Sequence, residues 1–259
     1  MLIIPAIDIR EGKCVRLFQG SPDKVHVYSE NPLETAVLWE QNGALSLHVI
    51  DLDGAFEGVP KNFSLIETII SSVSIPVQVG GGIRSPVSVQ NYIAAGAHHV
   101  ILGSIASRNF GFVRELCETY PERITVSMDA RNGKIAVDGW QREMPFEAVE
   151  LAREFEASGV ASFIYTDILR DGTLHGPNLE AICRFVESVS TPVYAAGGIC
   201  SLDDIVNLAK LCDQGLEGVI VGKAAYTGDV NIREAQELAL RITGKTYPSS
   251  RTPPSREIG

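Results

Sequence analysis

Apolar, β-branched runs of five to seven residues alternate along this chain with longer stretches whose apolar positions recur at helical spacing. The runs are LIIPAID (2–8), LSLHVID (45–51), PVQVG (76–80), HHVILG (98–103), ITVSMDA (124–130), ASFIYTD (161–167), PVYAAG (192–197) and GVIVG (218–222). Each has the length of a strand, and strands separated by helices pair in parallel, buried on both faces, which explains apolar runs without strict alternation. The intervening helices have legible ends. Asn31-Pro32-Leu33-Glu34 supplies an N-cap, a first-turn proline and an acid, and Ser85-Pro86, Ser201 to Asp204 and Asn231 to Glu234 repeat variants of it. Gly43, Gly96, Gly159, Gly215 and Gly244 stand where helices stop. Eight βα units in about 240 residues predict a (β/α)8 TIM barrel, ahead of an open doubly wound sheet.

A repeat favours the closed form. Asp8-Ile9-Arg10-Glu11-Gly12-Lys13 returns 121 residues later as Asp129-Ala130-Arg131-Asn132-Gly133-Lys134, with four identities. Asp53-Gly54 with Gly58 returns as Asp171-Gly172 with Gly176, Gly81-Gly82-Ile83 as Gly197-Gly198-Ile199, and Val100 to Gly103 as Val219 to Gly222. Shared strand composition explains similar apolar residues but not the same Asp and Gly at corresponding strand ends. The chain therefore reads as two similar half-barrels forming one domain over residues 1–244. Residues 245–259, rich in Pro, Ser and Arg, read as a disordered tail.

Composition narrows the class. The chain has 259 residues, 45% of them hydrophobic, and its 22 basic against 32 acidic residues give a net charge of −10, the wrong sign for a nucleic-acid binder. No apolar stretch approaches a membrane span, and the N-terminus lacks the pattern of a secretory signal, so a cytoplasmic protein is expected. Five scattered cysteines with no C-x-x-C pair imply neither a disulfide framework nor a zinc knot.

In a (β/α)8 barrel the chemistry sits at the C-terminal strand ends, which here read Asp8, Asp51, Gly80, Gly103, Asp129, Asp167, Gly197 and Gly222. Strands one and five thus set two carboxylates across the mouth, a pair that serves as general acid and base if their surroundings differ. A lone strand-end Asp caps a helix as readily. The recurrence of Asp8 and Asp129, each before a Gly-Lys turn, points to catalysis. No His or third carboxylate falls at ligand spacing, so no metal is expected. His48, three residues before Asp51, faces the other side of its strand and reads as pocket lining or core. Glycine-ended strands let backbone N–H groups approach an anion. Gly81, Gly82 and Arg84 with Gly103 and Ser104 form one predicted phosphate cup. Gly197 and Gly198 with Gly222 and Lys223 form the other, so a ligand with two phosphates is expected. Long first and fifth loops, carrying Arg16 and Gly20, and Trp140, read as lids, with Trp140 either stacking on a heterocycle or packing locally.

Ile4 to Asp8 followed by Gly12 to Leu17, His48 to Ala55, Gln78 to Arg84 and above all Thr166-Asp-Ile-Leu-Arg-Asp-Gly-Thr-Leu174 resemble the HisA family, the phosphoribosylformimino-AICAR phosphate isomerases of histidine biosynthesis. The likeness spans all but the tail. It implies a half-barrel fold and a cofactor-free Amadori rearrangement of a bisphosphorylated, ribonucleotide-like small molecule. With the charge and hydropathy above, no nucleic-acid or membrane partner is expected, and the chain is expected to be a monomer. The resemblance implies Asp8 as proton acceptor, Asp129 as donor, and Asp171 and Thr166 beside the reacting ribose, with Asp171 as the acid positioned by Asp129 as an open alternative. It puts Asp51 and His48 among the binding residues. A bifunctional isomerase that also takes phosphoribosylanthranilate keeps every motif, and the related cyclase, HisF, shares the repeat. A non-catalytic phosphosugar-binding barrel is disfavoured by the paired aspartates.

Overall fold

The computed structural model describes residues 1–18 and 21–247, and in them the eight apolar runs become the staves of a closed barrel. In chain order the strands are β1 (Leu2–Arg10), β2 (Lys13–Phe18), β3 (Ser21–Ser29), β4 (Leu47–Asp51), β5 (Val77–Gly80), β6 (His99–Leu102), β7 (Ile124–Arg131), β8 (Lys134–Val137), β9 (Arg142–Glu147), β10 (Ser162–Asp167), β11 (Val193–Ala196) and β12 (Leu216–Val221). The parallel ring runs β1, β4, β5, β6, β7, β10, β11, β12 and returns to β1 through Leu2–Gly218 and Pro5–Val221 pairing. Helices α1 (Pro32–Gln41), α2 (Leu52–Glu57), α3 (Phe63–Ser72), α4 (Pro86–Ala94), α5 (Phe110–Thr119), α6 (Ala148–Glu156), α7 (Leu179–Val186), α8 (Leu202–Ala209), α9 (Lys223–Thr227) and α10 (Ile232–Thr243) form the outer layer.

The predicted helix starts hold. The Asn31, Ser85 and Asn231 side chains accept from the backbone N–H three residues on, and Ser201 with Asp204 closes a full capping box. The barrel interior is filled by Ile4, Ala6, Ile101, Ile164, Ala196 and Ile220, while a larger core, including Tyr92, Phe155, Phe163 and Phe185, lies between sheet and helices.

Two stretches expected as lid loops are hairpins. β2 folds back on β1 across Glu11-Gly12, and β8 folds back on β7 across Asn132-Gly133. All four turn residues have positive φ (51° and 74°, 51° and 85°), the two-residue turn that matches strand twist. The Asn-Gly pair carried that signal in the sequence. The hairpins occupy equivalent places in the two halves, so the repeat extends beyond the staves to their excursions.

The paired glycines serve first to bring backbones together. A Cβ on Gly81 would lie 2.1 Å from the Asp51 carbonyl oxygen, and one on Gly197 would lie 2.6 Å from that of Asp167. Both φ values, 103° and 99°, are left-handed. Gly81→Ala is therefore expected to cost about 3 kcal/mol or more, read as a lowered denaturation midpoint, because neither clash nor φ relaxes without moving β4.

The chain continues past the predicted domain end: after Gly244 caps α10, Lys245 Nζ reaches Glu217 at 2.6 Å and Tyr247 Oη donates to the Glu217 carbonyl at 3.3 Å. Residues 248–259, the rest of the expected tail, lie outside the described residues.

Candidate active site

At the C-terminal ends of the staves is a cavity of about 250 Å³ whose apolar lining includes Ala6, Ile50, Ile101, Ile164 and Ile220. Strand alternation decides which strand-end groups enter it. On β1, Ala6 faces inward and so does Asp8; on β7, Ser127 and Asp129 do; on β10, Ile164 and Thr166 do. On β4 the inward residues are His48 and Ile50, which leaves Asp51 pointing the other way.

Asp51, expected among the binding residues, is accordingly a structural group. It is fully buried, and its carboxylate accepts from the N–H groups of Gly54 (2.8 Å), Lys61 (2.7 Å) and Asn62 (2.9 Å) and from Asn62 Nδ2 (2.8 Å). Asp167 repeats this in the second half, accepting from Leu169 N–H and Asn178 Nδ2. Both tie a βα loop to its stave.

The two opposed carboxylates have unlike partners. Asp8 Oδ2 is in an ion pair with Arg16 Nη1, reached across the first hairpin. Asp129 is held by neutral donors: Trp140 Nε1 at 2.8 Å from the second hairpin and Ser127 Oγ at 2.8 Å from its own strand, with Thr166 adding a third. Burial pushes the Asp129 carboxyl upward, and those three hydrogen bonds oppose it. Arg16 is largely buried, which works against its charge, yet Asp8 and Asp171 outweigh that and raise it overall. Asp171, on the loop after β10, completes the group. Burial pushes its carboxyl up to about 6, with Arg16 opposing and Asp8 and Asp129 adding to the rise. Its repeat mate Asp53 does something else, bonding the Glu11 N–H at 2.7 Å and Asn62 Nδ2 at 2.9 Å to brace the first hairpin.

The predicted cup residues Gly81, Gly82, Arg84, Gly103 and Ser104 line one side of the cavity, and Gly197, Gly198, Gly222 and Lys223 line another. Arg84 Nη2 bonds the Ala55 carbonyl at 3.3 Å, and Lys223 Nζ lies 3.5 Å from that of Gly172. Arg16 packs so closely on Gly222 that a Cβ there would fall 1.6 Å from Nη2. Ser104 Oγ accepts from the Asp138 N–H at 3.0 Å, and Trp140 has its indole N–H on Asp129. Gly20 lies outside the described residues. Ser127 was missed in the sequence, although its place two residues before Asp129 on one strand face signals it.

His48 lines the cavity with its Nδ1 3.1 Å from Gln78 Nε2, and burial followed by the Arg16 charge lowers its pKa to about 3. His99, at the start of β6, falls to about 3 from burial, with His98 and Arg123 contributing. Unfolded histidine titrates near 6.5. Between that pH and about 3 the unfolded chain binds more protons, so stability present above 6.5 is lost as pH falls. Asp171 works in the opposite sense between about 4 and 6. His99→Gln, far from the carboxylates, is therefore expected to flatten the acid side of a stability–pH curve by up to about 1.4 kcal/mol per pH unit, measured by denaturant unfolding.

Among the described residues no group of three or more His, Cys, Asp or Glu is arranged to hold a metal ion, and no helix is long and apolar enough to cross a membrane. The model of the family described as "Histidine biosynthesis protein" matches residues 2–231. A protein of Trichlorobacter lovleyi is 50% identical over 241 residues, covering 93% of this chain and 98% of that protein. One of Pelobacter propionicus is 48% identical over 245 residues, covering 95% and 98%, and one of Crocosphaera subtropica is 49% identical over 235 residues, covering 91% of each. All three are named 1-(5-phosphoribosyl)-5-((5-phosphoribosylamino)methylideneamino) imidazole-4-carboxamide isomerase. With half of its residues shared over nearly its whole length, the chain belongs to the histidine biosynthesis family, among the HisA isomerases that its strand-end motifs resemble.

Proposed function

We propose that this chain is the isomerase its relatives are named for, converting the phosphoribosylamino end of that carboxamide ribotide from aldose to ketose. The observation that carries this reading is the unlike pairing of Asp8 with a cation and Asp129 with neutral donors across one cavity. The rearrangement needs a proton delivered to the ribose ring oxygen, which opens the ring to an imine, and a proton removed from C2, which gives an enolamine that tautomerises to the ketone. Every step moves a proton, so positioned carboxyl groups suffice and no cofactor is required.

In this reading Asp8, the carboxylate of an ion pair, accepts the C2 proton. Asp129, whose burial favours the neutral form, donates to the ring oxygen, and Thr166 holds it in place. Asp171, pushed to about 6, supports a second reading in which it is the acid and Asp129 positions it. The two cups hold the terminal phosphates: Gly81, Gly82 and Gly103 with Arg84 at one, Gly197, Gly198 and Gly222 with Lys223 at the other. Ser104, whose Oγ accepts from the Asp138 N–H, donates its own O–H to the phosphate at the first cup without leaving the hairpin. Arg16, between Asp8 and Gly222, bridges the base and the second cup, His48 packs under the substrate as a neutral ring, and Trp140 covers it. All of these groups come from one chain, so the monomer is competent.

The test is to incubate the purified protein with the aminoaldose, with phosphoribosylanthranilate, and with the isomerised product plus ammonia. Turnover of the aminoaldose alone is expected. Turnover of the second substrate as well would make the enzyme bifunctional, turnover only of the third would make it a cyclase, and binding without turnover would leave a phosphosugar-binding barrel.

A further inference from the structure

The second hairpin is held in a demanding conformation by few ties. Asp138, Gly139 and Trp140 follow one another with φ of 59°, 64° and 69°. Asp visits the left-handed region readily, whereas a tryptophan there is an outlier that its surroundings must enforce. That turn lowers the Trp140 indole onto Asp129, 2.8 Å away.

Of the groups securing the turn, Arg142 on Asp138 at 3.4 Å lies within the excursion and moves with it, whereas Arg131, at the end of stave β7, reaches the Trp140 carbonyl at 3.3 Å from the barrel itself. The other ties to the barrel wall come from the segment after β6. Arg108, in a 3₁₀ turn at Ala106–Arg108, pairs through Nη2 with Asp138 Oδ1, and Ser104 Oγ takes the Asp138 N–H. We propose that Arg108 is a positioning residue for the reaction, anchoring Asp138 to the wall so that Trp140 stays hydrogen-bonded to Asp129. At 37% exposure on each side, the pair adds little to global stability. Losing one such tie shifts the equilibrium of the strained turn it secures by about twofold to fivefold.

This inference rests on the isomerase reading for its kinetic readout but not for its spectroscopic one. Arg108→Gln, Asp138→Asn and the double variant are compared for kcat and KM on the aminoaldose. The singles are expected to lower kcat about twofold to fivefold with KM unchanged, and the double variant to be no worse than Asp138→Asn alone, because that variant already cuts the Arg108 tie. The second readout needs no substrate: in a Trp39→Phe background Trp140 is the sole tryptophan, and Arg108→Gln is expected to shift its emission to the red and increase quenching by acrylamide. If Trp39→Phe does not fold, subtracting the Trp140→Phe spectrum gives the same signal. Unchanged emission, or wild-type kcat in both single variants, overturns the proposal. An inactive wild-type protein overturns the isomerase reading alone, and the emission then decides the role of Arg108.

Discussion

Asp8→Asn is expected to reduce kcat by about 10²–10⁴ while KM stays within about tenfold, the loss that follows removal of a positioned base. Asn keeps the shape and one acceptor of Asp but cannot take the C2 proton. The substitution also strips Arg16 of its closest counter-charge, and because the pair is only partly buried the cost falls below the roughly 3–5 kcal/mol of a fully buried one. Here Asp171 remains as a second anion facing the guanidinium, which moderates that cost. A thermal unfolding curve run beside the kinetics separates the two effects: a folded protein with collapsed kcat marks the base, whereas kcat that falls only with stability marks a structural ion pair.

The second large effect concerns the acid. Asp129→Asn is expected to lower kcat by about 10²–10⁴, because in the proposed reaction Asp129, whose carboxyl burial pushes upward, supplies the proton to the ring oxygen. The variant's amide oxygen keeps the Trp140 N–H as its partner while its NH2 donates to Ser127 Oγ, which turns from donor to acceptor, so the hairpin and β7 should hold their places. Asp171→Asn is the necessary companion. If Asp129→Asn keeps wild-type turnover while Asp171→Asn loses it, the donor role passes to Asp171. A pH–rate profile alone does not divide the roles, because Asp129 and Asp171 share one cavity and the charge of Asp129 raises the Asp171 carboxyl.

Much of this was legible before the fold was known. The repeated Asp-x-Arg-x-Gly-Lys segments placed Asp8 and Asp129 at equivalent staves, and the double glycines placed two equivalent turns. What the repeat left undecided was which repeated residue enters the cavity. Asp51 and Asp167 are as regular as Asp8 and Asp129, yet they fall on the odd phase of their strands, behind His48 and Ile50 or Ile164 and Thr166, and brace loops instead. Strand parity, counted from inward residues such as Ile4 and Ala6, separates the two classes. The Asp53 and Asp171 pair shows a deeper limit. The same Asp-Gly motif braces a hairpin in one half and faces the reacting groups in the other, because the excursions after β1 and β7 differ in length and in what they bring. Arg16 and Trp140 meet their aspartates only through hairpin geometry. The Arg108–Asp138 tie depends on three successive left-handed residues that no period or propensity announces.

The most direct measurement is a crystal structure of the Asp8→Asn protein soaked with the aminoaldose. Its two phosphates are expected at Gly82–Gly103 and at Gly198–Lys223, with the ribose C2 within about 3.5 Å of the residue 8 side chain and the ring oxygen within hydrogen-bond reach of Asp129 or Asp171. A ligand held by one cup only, or a ribose lying away from both residue 8 and Asp129, would contradict it.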